Sequence, residues 1–150
     1  MLQLGHPAPN FTMASDQGND VSLKNLRGST VVLYFYPKDD TPGCTTESCD
    51  FRDQHTEFKH RGAQIFGVSC DDITSHKKFS SKFSLSFPLL SDPDNSVCTS
   101  YGVWKEREMN GRKYMGIERT TVVIDGEGNV ARIYPKVNVP GHAAEVLKEL

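Results

Sequence analysis

Ser29-Thr-Val-Val-Leu-Tyr-Phe-Tyr36 is an unbroken β-branched and aromatic run, closed by Pro37. Both of its alternating faces are apolar, so a strand built from it must be covered on both sides, as a central strand of an α/β sheet is. After the loop Lys38–Gly43, the residues Cys44, Ser48, Phe51, His55 and Phe58 recur at helical spacing. The spacing predicts a helix over Cys44 to His60 with Cys44 heading its inward face, and Arg61-Gly62 supplies the stop.

The alternation continues down the chain. Gln64–Ser69 reads as a second buried strand and Asp72–Phe83 as a second helix, with Asp72 placed to cap it. Phe87–Leu90 is a short extended piece, Ser91–Asn95 a turn, and Val97–Tyr101 a brief helix ended by Gly102. Arg119–Asp125 and Val130–Tyr134 form a hairpin about the turn Asp125–Asn129, and the tail from Gly141 puts Ala143, Val146, Leu147 and Leu150 on one helical face. Before residue 29, Gly18-Asn19 between short segments implies an N-terminal hairpin extension. This order is that of a thioredoxin-like α/β fold, a mixed central sheet flanked by helices, in a single domain over residues 1–150.

Composition narrows the functional classes. The net charge of −2 offers no broad cationic footprint for nucleic acid. The longest apolar run, Val31–Tyr36, is far short of a membrane helix. The start MLQLGHPAPNF lacks a basic stretch and apolar core, so a cytoplasmic location is expected. The four cysteines, at 44, 49, 70 and 98, form neither a C-x-x-C pair nor a zinc spacing, and the five histidines give no H-E-x-x-H. No metal or other cofactor is expected, and cysteine reactivity is the chemistry left.

Cys44 is the best placed for it. It follows a strand, a Pro/Gly-bearing loop and the start of a helix, where free N–H groups and the positive dipole end favour thiolate over thiol. Thr41 can offer a hydroxyl to the same pocket, and Pro42 and Gly43 shape the approach. Cys49 lies five residues on; in an intact helix the two Cα atoms stand roughly 8–9 Å apart, beyond disulfide reach. Any bond between them therefore requires the first turns to unwind. Glu47 reads as a complement to the helix dipole, with a hydrogen bond in the pocket as the alternative. His55 reads as a packing histidine, Asp39 and Asp40 as solvated loop carboxylates, and Cys70 and Cys98 as small buried or half-buried side chains. Arg119 is open between a surface strand residue, paired with Glu118 or Glu127, and a pocket residue.

Pro37-x-x-x-Thr41-x-x-Cys44 resembles the active-site signature of the peroxiredoxins. The fuller stretch FYPKDDTPGCTTESCDFRD is similar to the bacterioferritin-comigratory, or Q-type, subfamily, and GVSCDD, FPLLSD, YGVW and GIERTTVVID extend the likeness over nearly the whole chain. The resemblance implies a thiol-dependent peroxidase acting on hydrogen peroxide and organic hydroperoxides. Cys44 would be the peroxidatic cysteine, and Arg119 the arginine that stabilises its thiolate and polarises the peroxide. Thr41 would hydrogen-bond thiolate and peroxide, Pro37 would shield the pocket, and Gly43 would line the substrate site. Cys49 would be the resolving cysteine; some relatives carry the resolver on the next helix, but Asp72–Phe83 has no cysteine. Thioredoxin or a similar dithiol protein would reduce the resulting disulfide, with the protein a monomer. A thioredoxin-like disulfide oxidoreductase and a redox-switched sensor or holdase are the competing readings.

Overall fold

The computed structural model describes residues 2–150. The elements are β1 (Thr12–Ser15), β2 (Asp20–Ser22), β3 (Thr30–Phe35), α1 (Pro42–His60), β4 (Ala63–Ser69), α2 (Ile73–Phe83), β5 (Leu89–Ser91), α3 (Ser96–Ser100), β6 (Trp104–Met109), β7 (Arg112–Ile117), β8 (Thr120–Ile124), β9 (Val130–Tyr134) and α4 (His142–Lys148). Seven strands make one mixed sheet in the order β2-β1-β5-β4-β3-β8-β9, with β3, β4 and β5 parallel neighbours and the remaining pairs antiparallel. The run after Ser29 is a central strand of this sheet, and Val31 to Tyr36 are all at most 1% exposed. The N-terminal hairpin forms about Gly18-Asn19 and joins the main sheet through β5.

The two faces are covered differently. Tyr34, Tyr36, Ile65 and Val123 face Phe51 and Phe58 of α1, Phe79 of α2, and Ala143 and Val146 of α4. Leu33, Phe35, Phe66 and Val68 face Phe11, Leu23, Cys98 and Tyr101, so the N-terminal segment, the 3-10 turn Leu23–Leu26 and α3 close the other side.

Tyr34 couples the sheet to α1. Its ring lies over Gly67, where a Cβ would meet Tyr34 Oη at 2.7 Å, and only glycine leaves that space. The ring stacks on Phe51 with centroids 4.8 Å apart, and Tyr34 Oη lies 2.8 Å from Ser48 Oγ. These contacts fix the height and rotation of α1, and with them the place of Cys44.

The sequence reading has no counterpart for the two-stranded sheet β6–β7. Its turn is Asn110-Gly111, both at positive φ (53° and 77°), the pairing that suits a two-residue hairpin. The signal is present in the sequence, but both strands are largely exposed, so the buried alternation that identifies a strand is missing.

Candidate active site

Pro37 ends β3 and turns the chain into the loop that delivers α1. Thr41 takes the N-cap position with extended backbone (φ −93°, ψ 154°), and Pro42 follows at the first helical position. The Thr41 hydroxyl makes no cap; it donates to the Lys38 carbonyl at 2.9 Å. The open first turn therefore presents the N–H groups of Gly43 and Cys44 without a side-chain acceptor. Thr41 is thus brought to the site, but with its proton committed to Lys38 and only oxygen lone pairs free.

Cys44 is 1% exposed and faces Arg119, which stands just before β8 with its carbonyl bonded by the Val137 N–H at 2.9 Å. Nη2 of Arg119 donates to Cys44 Sγ at 3.3 Å, and Nη1 donates to Glu47 Oε1 at 2.7 Å. Arg119 is a pocket residue, not a surface strand residue paired with Glu118 or Glu127; Glu118 is engaged by Lys105 at 2.8 Å instead. Burial works against the Arg119 charge, but Glu47 and Cys44 more than restore it and raise its pKa.

Glu47 does not serve the helix dipole, as its place near the helix start suggests. It is 1% exposed, one turn below Cys44, and orients the guanidinium. Its Oε2 is the one buried side-chain N or O atom without a partner among the described residues. Burial pushes the carboxyl up to about 7, with Arg119 partly opposing the shift. A short contact to a guanidinium argues for the ionised form and the orphaned oxygen argues against it; desolvation is the larger effect here.

Asp39 is likewise not a solvated loop carboxylate. It is 8% exposed and accepts from Tyr36 Oη at 2.6 Å, Ser75 Oγ at 2.8 Å and His76 Nδ1 at 2.7 Å. Its own N–H donates to Asp71 Oδ2 at 2.8 Å. The loop before Cys44 is therefore anchored to α2 and the end of β4 by buried charge. Asp40, which pairs with Lys82 at 2.8 Å, is exposed as expected. His55 is a satisfied packing residue on the inner face of α1, 2.7 Å from Ser86 Oγ.

Pro37 and Arg119 line a cavity of about 500 Å³ whose other walls are Glu106, Arg107 and Glu108 of β6, Glu118, Lys136 and Val137. Pro37 is exposed there, at the rim. The hairpin absent from the sequence reading thus supplies one wall of this cavity beside Arg119. Gly43 lies against the guanidinium, and a Cβ on it would stand 3.3 Å from Arg119 Nη2.

Cys49 is half-buried on α1, and no disulfide joins any of the four cysteines. The helix runs unbroken from Pro42 to His60, so Cys44 and Cys49 point away from each other along it. Burial raises the Cys49 pKa, against the attraction of Arg52. Among the described residues, no helix is long and apolar enough to cross a membrane.

Residues 4–133 match the AhpC/TSA family. The chain is 46% identical over 149 residues to peroxiredoxin Bcp of Bacillus subtilis, covering 99% of this chain and 95% of the relative. A structure of the Xanthomonas campestris bacterioferritin comigratory protein, studied for alkyl peroxide reduction, superposes with a TM-score of 0.92 at 40% identity, covering 98% of this chain and 96% of that one. A cysteine-to-serine mutant of Xylella fastidiosa PrxQ gives a TM-score of 0.94 at 35% identity, covering 99% and 95%. The chain belongs to the AhpC/TSA family, among the peroxiredoxins of the Bcp, or Q-type, kind.

Proposed function

We propose that Cys44 is the peroxidatic cysteine of this thiol peroxidase and Cys49 its resolving partner. The observation that carries the reading is the 3.3 Å hydrogen bond from Arg119 Nη2 to Cys44 Sγ at an uncapped helix start. A guanidinium donor and free N–H groups favour a thiolate and, once a peroxide enters, the charge that develops on its oxygens. The thiolate attacks one peroxide oxygen, the O–O bond breaks, and the leaving alkoxide or hydroxide takes a proton as Cys44 becomes a sulfenic acid. The Thr41 oxygen, its own proton donated to Lys38, is suited to accept from the peroxide hydroxyl. Pro37 limits water at the rim, and Gly43 leaves the peroxide and the guanidinium room.

Cys49 then condenses with the sulfenic acid, releasing water and forming an intramolecular disulfide. That step supplies the reason for an unwound first turn, since the unbroken α1 holds the two side chains apart. Thioredoxin or a similar dithiol protein returns the pair to thiols by exchange. Hydrogen peroxide and organic hydroperoxides are the substrate class, with the protein acting as a cytoplasmic monomer.

The test is peroxide consumption coupled to thioredoxin and its reductase, with peptide mapping of alkylated protein after one equivalent of peroxide. A Cys44–Cys49 linkage, and loss of turnover in Cys44→Ser, are expected. Turnover that survives Cys44→Ser would overturn the mechanism. Reduction of insulin disulfides without peroxide would revive the oxidoreductase reading.

A further inference from the structure

Cys70 and Cys98 are not used by this chemistry, yet the fold brings them together across 28 residues of chain. Cys70 directly follows β4, and Cys98 sits in α3. Their sulfurs and a carboxylate oxygen of Asp92 all lie within 4.8 Å of one another. Along β4, Phe66 and Val68 face the α3 side of the sheet, and Cys70 packs against that same cluster. Cys44 packs in the cluster on the opposite face, so the sheet separates this pair from the peroxidatic centre.

The two thiols are unequal in a way that suits sequential reaction. Cys70 is half-buried and reachable from solvent, whereas Cys98 is 0% exposed. The neighbouring Cys98 thiol lowers the Cys70 pKa, against burial and the carboxylates of Asp92, Asp71 and Asp94. Asp92 is committed to α3: Oδ2 accepts the Cys98 N–H at 2.8 Å and Oδ1 the Val97 N–H at 3.2 Å and the Ser96 hydroxyl at 3.5 Å. The Asp92 N–H in turn donates to the Ser69 carbonyl at 2.9 Å, tying α3 to the end of β4. A carboxylate so engaged is a poor third ligand for a metal, and two thiols held side by side by a rigid tie are suited to oxidation.

We propose that Cys70 and Cys98 form a second redox couple, oxidised by peroxide to a disulfide that bolts α3 to the end of β4. The Cys70 thiolate attacks a peroxide oxygen, the O–O bond breaks, and protonation of the leaving group gives an alcohol or water and a Cys70 sulfenic acid. The Cys98 thiol attacks that sulfur, the S–O bond breaks, and water leaves with the thiol proton. Two electrons pass from the thiols to one peroxide. Among the described residues no guanidinium bonds Cys70 as Arg119 bonds Cys44, so the couple responds to excess peroxide and not to each turnover.

The test uses the full-length Cys44→Ser/Cys49→Ser protein, which retains only this pair, treated with excess hydrogen peroxide, alkylated and mapped without reduction. A Cys70–Cys98 linked peptide is expected, reversed by dithiothreitol, together with a rise in Tm on the order of 5 °C from closing the loop. Adding Cys98→Ala should remove the linkage and leave Cys70 trapped as a sulfenic acid that a dimedone probe labels. The wild-type protein under the same excess should carry the linkage as well, which guards against a fold disturbed by substitution. Both thiols remaining free, or Cys70 passing to sulfinic acid beside an untouched Cys98, would overturn the proposal. So would one zinc ion retained on native mass spectrometry of the reduced protein after zinc addition, with both thiols shielded from alkylation.

Discussion

Gly43 and Arg119 are in contact at the limit of what a side chain allows: a Cβ on Gly43 would stand 3.3 Å from Nη2, the atom that bonds the Cys44 sulfur. Nothing in the backbone dihedrals of Gly43 demands glycine, since it is not among the positive-φ glycines. The close approach does. Gly43→Ala is expected to displace the guanidinium by a few tenths of an ångström and to lower kcat/KM for peroxide about tenfold, because small misplacements at a reacting centre are costly. Stopped-flow oxidation of Cys44 measures it, with thermal unfolding expected to change little.

Arg119 serves Cys44 and Glu47 with separate nitrogens of one planar group. A lysine keeps the charge but offers a single nitrogen that cannot occupy both positions. Arg119→Lys should therefore lower the rate of Cys44 oxidation by about 10²-fold, in the range for removing one oriented donor from a site where charge develops. Alkylation of Cys44 by iodoacetamide at one fixed pH should slow in parallel. A variant within threefold of wild type would show that charge alone, without the fork, suffices.

Much of this arrangement is legible in the sequence, and the missing parts share a cause. The inward face of α1 is readable because Cys44, Ser48, Phe51, His55 and Phe58 repeat at helical spacing, and all five are buried. Glu47 is buried beside them, yet a glutamate near a helix start reads as surface charge. Its burial is tolerable only because Arg119, 72 residues away, closes on it. Asp39 misleads for the same reason, as its partners Ser75 and His76 come from another helix. Local pattern reports which faces turn inward; it does not report which charges meet there.

Glu47 makes the site sensitive to pH. Its folded pKa of about 7 lies above the unfolded value of 4.5, so the folded state binds the proton more tightly. Its contribution to stability is fully present below about pH 4.5 and declines as pH rises toward and through 7, by on the order of 1–3 kcal/mol. Glu47→Gln keeps an acceptor for Arg119 and cannot titrate. Urea unfolding from pH 4.5 to 8 should show the wild type losing stability relative to this variant, and parallel curves would refute the assignment.

His76 gives a second pH dependence. Nδ1 lies 2.7 Å from the Asp39 carboxylate and Nε2 lies 2.9 Å from the Leu90 carbonyl, both acceptors, so the ring is best satisfied with both nitrogens protonated. Burial opposes the charge, but Asp39 outweighs it, and the net pKa is raised above 6.5. Stability from this pair is thus fully present below pH 6.5 and is lost as pH rises through the folded pKa. Asp39→Asn places an amide donor among three donors and should cost about 3 kcal/mol, as loss of one partner in a buried pair does. Thermal unfolding at pH 6 and pH 9 in a Glu47→Gln background, where Glu47 cannot titrate, checks both statements, Asp39→Asn removing most of the difference between the two pH values.

The unwinding that a Cys44–Cys49 disulfide would require can be bounded from the anchors of α1. Before Ser48 the helix start is held by the Arg119 contact and by local bonds, Thr45 N–H to the Thr41 carbonyl at 2.8 Å and the Thr46 hydroxyl to the Pro42 carbonyl at 3.0 Å. From Ser48 onward it is pinned by the Tyr34 hydroxyl at 2.8 Å and by Phe51 stacked on the same ring at 4.8 Å. Oxidation to a Cys44–Cys49 disulfide breaks the first set and has no need to break the Phe51 stack. Hydrogen exchange of the oxidised protein should therefore rise at least tenfold for amides up to Cys49 and stay near the reduced rate from Phe51 to Phe58. Phe51→Leu weakens the pin, and its faster exchange should then extend past Phe51. Uniform loss of protection over all of α1 in the wild type would mean that the helix moves as one body, and that Tyr34 does not hold it.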